Sequence, residues 1–193
     1  NEIKKIDKIF SEKIIHIDIT IDKIKKNYLF SKNNKTILFV GNLTYLPNIL
    51  AVKSFIRNIL PKLILKIPGI KFEIIGEINK FNKFFLSLNR NLKCWGKQKN
   101  LDQFVKRSFC GLANLDIATG VQGKILSYMS NGLPVICSKK VANNFGKNVI
   151  SFNDGDDLIK KIIKLKNDKK FSNQISKKSF HFVKKFTLER VKK

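Results

Sequence analysis

Three short apolar runs, each closed by glycine, constrain this chain more than any other feature. Thr36–Val40 (TILFV) stops at Gly41, Lys71–Ile75 (KFEII) at Gly76, and residues 92–95 (LKCW) at Gly96. Their length and composition read as buried strands. Between the first two, Ile49, Val52, Phe55, Ile56, Ile59 and Leu60 recur every three or four residues, which predicts a helix over 47–66. Pro61 is expected to break or kink it. Pro68-Gly69 reads as a turn. A short helix is predicted over 101–107, with Leu101, Phe104 and Val105 on one face. Further strands are predicted at 110–115, 133–137 and 149–152, and further helices at 121–130, 157–166 and 171–186. Asp154-Gly155-Asp156 supplies a cap and acids for the helix that follows it. Strands alternating with helices predict an α/β fold with a doubly wound, mostly parallel sheet. Ligands of such sheets bind beyond the carboxyl ends of the strands. Function is therefore expected in the loops at 41–45, 76–77, 96–99 and 116–123.

The segment TGVQGKILSYMSNGLPVICS, residues 119–138, is the richest of these. A glycine-bracketed loop opens an amphipathic helix, which stops at Asn131-Gly132 before an apolar run. Unpaired N–H groups and the positive dipole end make a helix N-terminus a place to hold an anion. Lys124, in the first turn, opposes that dipole, and a bound phosphate would remove the conflict. The same residues also suit a plain tight turn into a core helix, with Ile125, Leu126 and Met129 inward and Lys124 solvated. The spacing is neither a Walker A loop nor GxGxxG, so on the residues alone both readings stay open. Gly41-Asn42 allows close approach to a ligand or serves as a simple turn. Trp95 is expected in core or rim packing, with base stacking as the alternative. Asp116 sits at the same rim as a loop cap or a lone base, without a second acid beside it.

Composition bounds the alternatives. There are 39 Lys+Arg against 14 Asp+Glu, a net +25. The lysines are spread along the whole chain beside heavy use of Ile, Asn and Phe, which fits AT-rich coding and a general affinity for anionic surfaces. Concentrated nucleic-acid recognition would gather them, so no specific nucleic acid is expected. No apolar run reaches the roughly 18 to 20 residues that span a bilayer. Cys94, Cys110 and Cys137 form no CxxC pair and read as buried reduced thiols, which suits a cytoplasmic protein. His16 and His181 have no metal-ligand spacing to a Cys or an acid, and no metal site is expected.

Residues 1–35 differ from the rest. A helix is predicted over 3–13, a strand over 13–17, and a polar linker over 27–35. The chain opens on Asn1, and this stretch reads as the end of a preceding domain, so the chain is expected to be a fragment.

The stretch ILFVGNLTYLPN, residues 37–48, with the Ala51-Val52 helix and Leu60-Pro61 after it, resembles the opening of the C-terminal domain of GT-B-fold glycosyltransferases. The closest likeness is to the family 4 type, the glycosyl transferases group 1 class. GKILSYMSNGLPVI, residues 123–136, resembles that family's signature, K-x-L-E-A-M-A-x-G-x-P-V-V. Residues 149–165 resemble its following strand, turn and helix. The likeness covers about residues 36–186.

The resemblance implies a Rossmann-like domain over 36–193 that binds a nucleotide diphosphate sugar, with 1–35 the remnant of the acceptor domain and hinge. It implies transfer of a sugar to a glycan or lipid-linked acceptor, as in polysaccharide biosynthesis, without a bound metal or other cofactor. Gly41 and Asn42 would face the donor phosphates and Gly96 the base. Thr119, Gly120, Val121 and Gln122 would meet the diphosphate through backbone N–H groups, and Lys124 would be the cation for the leaving group. Two departures stand out. Ser127 occupies the position of the helix glutamate that typically binds the donor ribose, and Thr119 that of an earlier glutamate. The Arg and Lys that many members carry after the first strand are also absent, since 42–48 holds no base. A cytoplasmic place, peripheral at the inner face of an anionic membrane, is expected. Two alternatives remain: a basic module for nucleic acid or membrane, and a relative that binds the donor without turnover.

Overall fold

The computed structural model describes residues 21, 24–79, 86, 89–115 and 121–187. The helix and strand expected within 3–17 lie outside them, as do Asp116, Thr119 and Gly120. Among the described residues six strands form one parallel sheet: β1 (Thr36–Val40), β2 (Lys71–Ile75), β3 (Leu92–Cys94), β4 (Ser108–Ala113), β5 (Val135–Ser138) and β6 (Ile150–Phe152). Their order is β3-β2-β1-β4-β5-β6, so the winding reverses between β1 and β4. This is the doubly wound sheet that the alternation predicts.

The helix after β1 is longer than a break at Pro61 would allow. It runs as α1 (Leu46–Ser54), a π-helical turn (Phe55–Ile59) and α2 (Leu60–Lys66) without interruption. Proline lacks an N–H, and its ring presses on the carbonyl four residues back in an α-helix. The wider turn just before Pro61 relieves that crowding, and Leu60 N–H bonds to the Phe55 carbonyl five residues back. The helix adapts rather than breaks.

The remaining helices are α3 (Asp102–Arg107), α4 (Gly123–Ser130), α5 (Lys139–Ala142), α6 (Gly155–Asn167) and α7 (Lys169–Val183). Asp154 caps α6 as predicted, its Oδ1 accepting from Asp157 N at 2.9 Å. Several boundaries move. β4 begins at Ser108 and ends at Ala113, because Asn114 turns away to donate to the Ala51 carbonyl at 2.8 Å. β5 begins at Val135, because Pro134 has no N–H for the ladder, although its carbonyl accepts from Gly111 N at 2.9 Å. α4 begins at Gly123 rather than at residue 121. α5, four residues long, is too short to show a periodicity and was not expected.

Right-handed crossovers and the reversal at β1/β4 place α1 and α2 on one face and α4 on the other. On the first face Phe55 of the π turn lies 4.5 Å from Phe72 of β2, and Phe72 meets Phe39 of β1 edge-on at 6.2 Å. Each of these rings is fully buried, a gain of about 1.5–3 kcal/mol apiece. On the other face α7 packs on α4. The start of the polar linker expected over 27–35, with the residues just before it, is anchored at the end of α4: Lys25 N donates to the Ser130 carbonyl, Asn27 and Tyr28 N–H donate to the Asn131 carbonyl, and the Tyr28 ring is buried.

One side chain closes the reversal point. The β1–β4 ladder ends at Leu38–Gly111. Beyond it Val40 N–H donates to the Tyr128 hydroxyl of α4 at 2.6 Å, and that hydroxyl donates to the Leu112 carbonyl at 3.4 Å. The phenol thus bridges the two strands where they part. Gly111 makes room for it, since a Cβ there would lie 2.6 Å from the ring. Burial pushes the phenol far above its usual range, so it stays protonated and can donate.

Candidate functional site

The glycines that end β1, β2 and β3 meet at one edge. Gly41 N–H donates to the Ile75 carbonyl at 2.9 Å, Leu43 N–H to the Glu77 carbonyl at 2.7 Å, and Gly76 N–H to the Gly96 carbonyl at 2.9 Å. Gly76 has φ +148°, and a Cβ on it would stand 2.0 Å from the Gly41 carbonyl oxygen. Only glycine lets the first two loops come this close. The three loops border a cleft of about 480 Å³, lined by Gly41, Asn42, Glu77, Lys97, Gln98 and Lys99 among others. Lys97 pairs with Glu77 across it at 3.2 Å. The Asn42 carboxamide oxygen accepts from Thr44 N and Oγ1 at 2.8 and 2.9 Å, which sets the turn leaving Gly41.

Lys124 does not point into solvent. It rises from the first turn of α4, across the end of β1, toward α1. Its Nζ donates to Asn48 Oδ1 at 2.6 Å and lies 4.4 Å above the Phe39 ring. Among the described residues no carboxylate pairs with it. Burial, with no opposing charge, pulls the amine down to about 8. A desolvated cation beside a helix N-terminus is an anion site in electrostatic terms. Gln122 leads into α4 in an extended conformation without a side-chain cap; its carbonyl takes the Ile125 and Leu126 N–H groups, so those of Gly123 and Lys124 add to the site. Val121 and Gln122 are half-buried on this approach.

Other residues named from sequence fall differently. Ser127 faces the same helix flank, but its hydroxyl donates to the Gly123 carbonyl at 3.0 Å and leaves only lone pairs for a ligand. Trp95 is a packing residue: its Nε1 donates to Glu73 at 2.7 Å, Phe104 meets it edge-on at 5.3 Å, and Lys93 stands 3.8 Å over the ring. Glu73 is buried and takes a fork from Arg107, Nη2 to Oε2 at 2.5 Å. That cluster is structural. Gly96 borders the cleft region with φ +72° and open space where a Cβ would stand. Asn48, the direct partner of Lys124, was not foreseen. An Asn after a helical Pro looks like an exposed first-turn residue, and nothing in the local pattern shows that it is 6% exposed.

None of the three cysteines is in a disulfide, Cys110 and Cys137 are buried, and burial pushes the Cys137 thiol up to about 12. Among the described residues no group of His, Cys, Asp and Glu could hold a metal ion, and no helix is long and apolar enough to cross a membrane.

A doubly wound sheet with glycine loops and a half-buried cation at its reversal point is an α/β domain with a candidate ligand site beyond its strand ends. The family profile "Glycosyl transferases group 1" matches residues 34–168, and the chain belongs to that family. No curated protein matches the sequence. Solved structures share the fold. Staphylococcus aureus TarM, in complex with fondaparinux, alpha-GlcNAc-glycerol and UDP, matches at TM-score 0.74 and 17% identity over 97% of this chain and 40% of its own. The pneumococcal O-GlcNAc transferase GtfA, with UDP and GlcNAc, matches at 0.66 and 15% over 98% and 41%. Anabaena HepE, with UDP and glucose, matches at 0.63 and 14% over 80% and 45%. The chain spans less than half the length of these relatives.

Proposed function

We propose that this chain is the donor-binding portion of a glycosyltransferase that moves a sugar from a nucleotide diphosphate sugar to a glycan or lipid-linked acceptor. The observation that carries it is Lys124: a half-buried ammonium on a neutral partner, beside the glycine loops and the start of α4. Breaking the sugar–phosphate bond leaves negative charge on the diphosphate. Lys124 and the first-turn N–H groups of α4 meet that charge without reorganising, which is where electrostatic catalysis gains most. On this reading no metal is required. The nucleoside end would extend toward the Gly96 loop along the cleft. The UDP held by TarM, GtfA and HepE supports the same class of donor. The net charge of +25 supports peripheral contact with an anionic membrane at its cytoplasmic face.

A thermal-shift series with UDP, GDP and ADP beside the monophosphates tests this. At about 100 times Kd a true ligand stabilises by about 2.7 kcal/mol, a rise of about 5–10 °C for a chain of this size. A shift with one diphosphate and little with its monophosphate is expected. No shift with any diphosphate would sink the proposal.

A further inference from the structure

Asn48 is the side chain on which the Lys124 ammonium rests. Its orientation is fixed by its partners. Lysine can only donate and a carbonyl can only accept, so Oδ1 faces Lys124 Nζ at 2.6 Å and Nδ2 faces the Asn42 carbonyl at 2.9 Å. The amide is 6% exposed, so neither bond is readily replaced by water. It also presses on the glycine loop, because a Cβ on Gly41 would stand 3.1 Å from Asn48 Cγ. One carboxamide therefore ties the cation from α4 to the loop after β1. The Val40–Tyr128 bond ties the same two elements a turn further down.

A carboxylate at this place would hold the ammonium more tightly and cancel its charge. A carboxamide fixes the ammonium's position and leaves the charge for a ligand. We propose that Asn48 is a positioning residue of the donor site, holding Lys124 against the Gly41 loop as an uncompensated cation for a nucleoside diphosphate. This rests on the donor-binding reading above. Among the described residues, the Phe39 ring from β1 and the Asn48 amide from α1 stand against Lys124, and neither titrates. Nucleoside diphosphate affinity then falls as pH rises past about 8, where the free chain's amine loses its proton.

The test measures UDP affinity of the 193-residue chain by calorimetry from neutral to alkaline pH. The wild type is set beside Asn48→Asp, Asn48→Ser and Lys124→Met. Asn48→Asp is expected to weaken UDP about tenfold or more and to move the alkaline fall to higher pH, since a carboxylate raises the amine's titration. Asn48→Ser, too short to reach Nζ, is expected to weaken UDP with the fall still near the wild-type pH. Lys124→Met is expected to weaken UDP and abolish the fall. If Lys124→Met binds UDP like the wild type, the donor reading of Lys124 fails. If it loses affinity while both Asn48 variants bind with wild-type affinity and pH profile, the donor reading stands and the positioning role is overturned. Should an Asn48 variant not fold, proton uptake on UDP binding to the wild type, read in buffers of different ionisation enthalpy, still decides. Uptake that grows above pH about 8 supports the uncompensated cation, and none overturns it.

Discussion

Replacing Lys124 by Met should trade binding for stability, and the trade should reverse with pH. The amine titrates at about 8 in the folded chain against an ordinary 10.5. Keeping it charged at neutral pH therefore costs ~3 kcal/mol, at about 1.4 kcal/mol per pH unit. The sign follows from proton counts. Between about 8 and 10.5 the unfolded chain binds more protons than the folded one, so this residue's contribution to stability rises with pH across that window and is least favourable below it. Met removes the charge at nearly the same volume but leaves Asn48 Oδ1 without its donor, a loss of about 1–3 kcal/mol. The two terms leave Lys124→Met about 1 kcal/mol more stable than wild type near pH 7, and about 2 kcal/mol less stable near pH 11, where the amine is neutral in both states. The change between the two pH values, ~3 kcal/mol, does not depend on the orphaned amide. Urea denaturation of both proteins at the two pH values measures it, with other titrating groups cancelling in the difference. A stability gap between the proteins that stays constant with pH would refute the desolvated cation.

Two other substitutions probe the reversal point and the helix flank. Tyr128→Phe keeps the ring against Gly111 but leaves Val40 N–H without an acceptor, and should cost about 1–3 kcal/mol in denaturant titration; a loss below about 0.5 would show that the bridge adds nothing. Ser127→Glu returns a carboxylate to the α4 flank, whose present hydroxyl is turned to the Gly123 carbonyl. It should tighten UDP severalfold without matching gain for inorganic pyrophosphate, and equal effects on both would place the residue away from the ribose.

The fold was legible because its signals are local. β1 and β2 match their expected bounds because each is an apolar run of five residues ended by a glycine that the backbone needs. Of the boundaries that slipped, the end of β4 and the start of β5 were set by distant partners: Asn114 reaching to Ala51, and Pro134 lending only a carbonyl to Gly111. Some of the residues singled out in the sequence lie together in the fold. Lys124, Gly41 and Asn42 do come together through Asn48, which bonds both the Lys124 ammonium and the Asn42 carbonyl. What the residues could not reveal was the direction of the lysine. Whether a first-turn Lys is solvated or buried depends on an amide 76 positions away in the chain. Trp95 packs as expected, although its partner Glu73 is a buried acid that reads as a surface residue in its strand.

The phenol wedged between the two halves of the sheet has a consequence for how this sequence can drift. Gly111 and Tyr128 share one volume, with 2.6 Å between the ring and a Cβ placed at 111. Neither position can change alone at small cost: a methyl group at 111 collides, and a small residue at 128 opens a hole and strands Val40. The sites are expected to vary as a pair, bulk at one excluding bulk at the other, so that the two-step path between the pairings passes through a less stable chain whichever residue moves first.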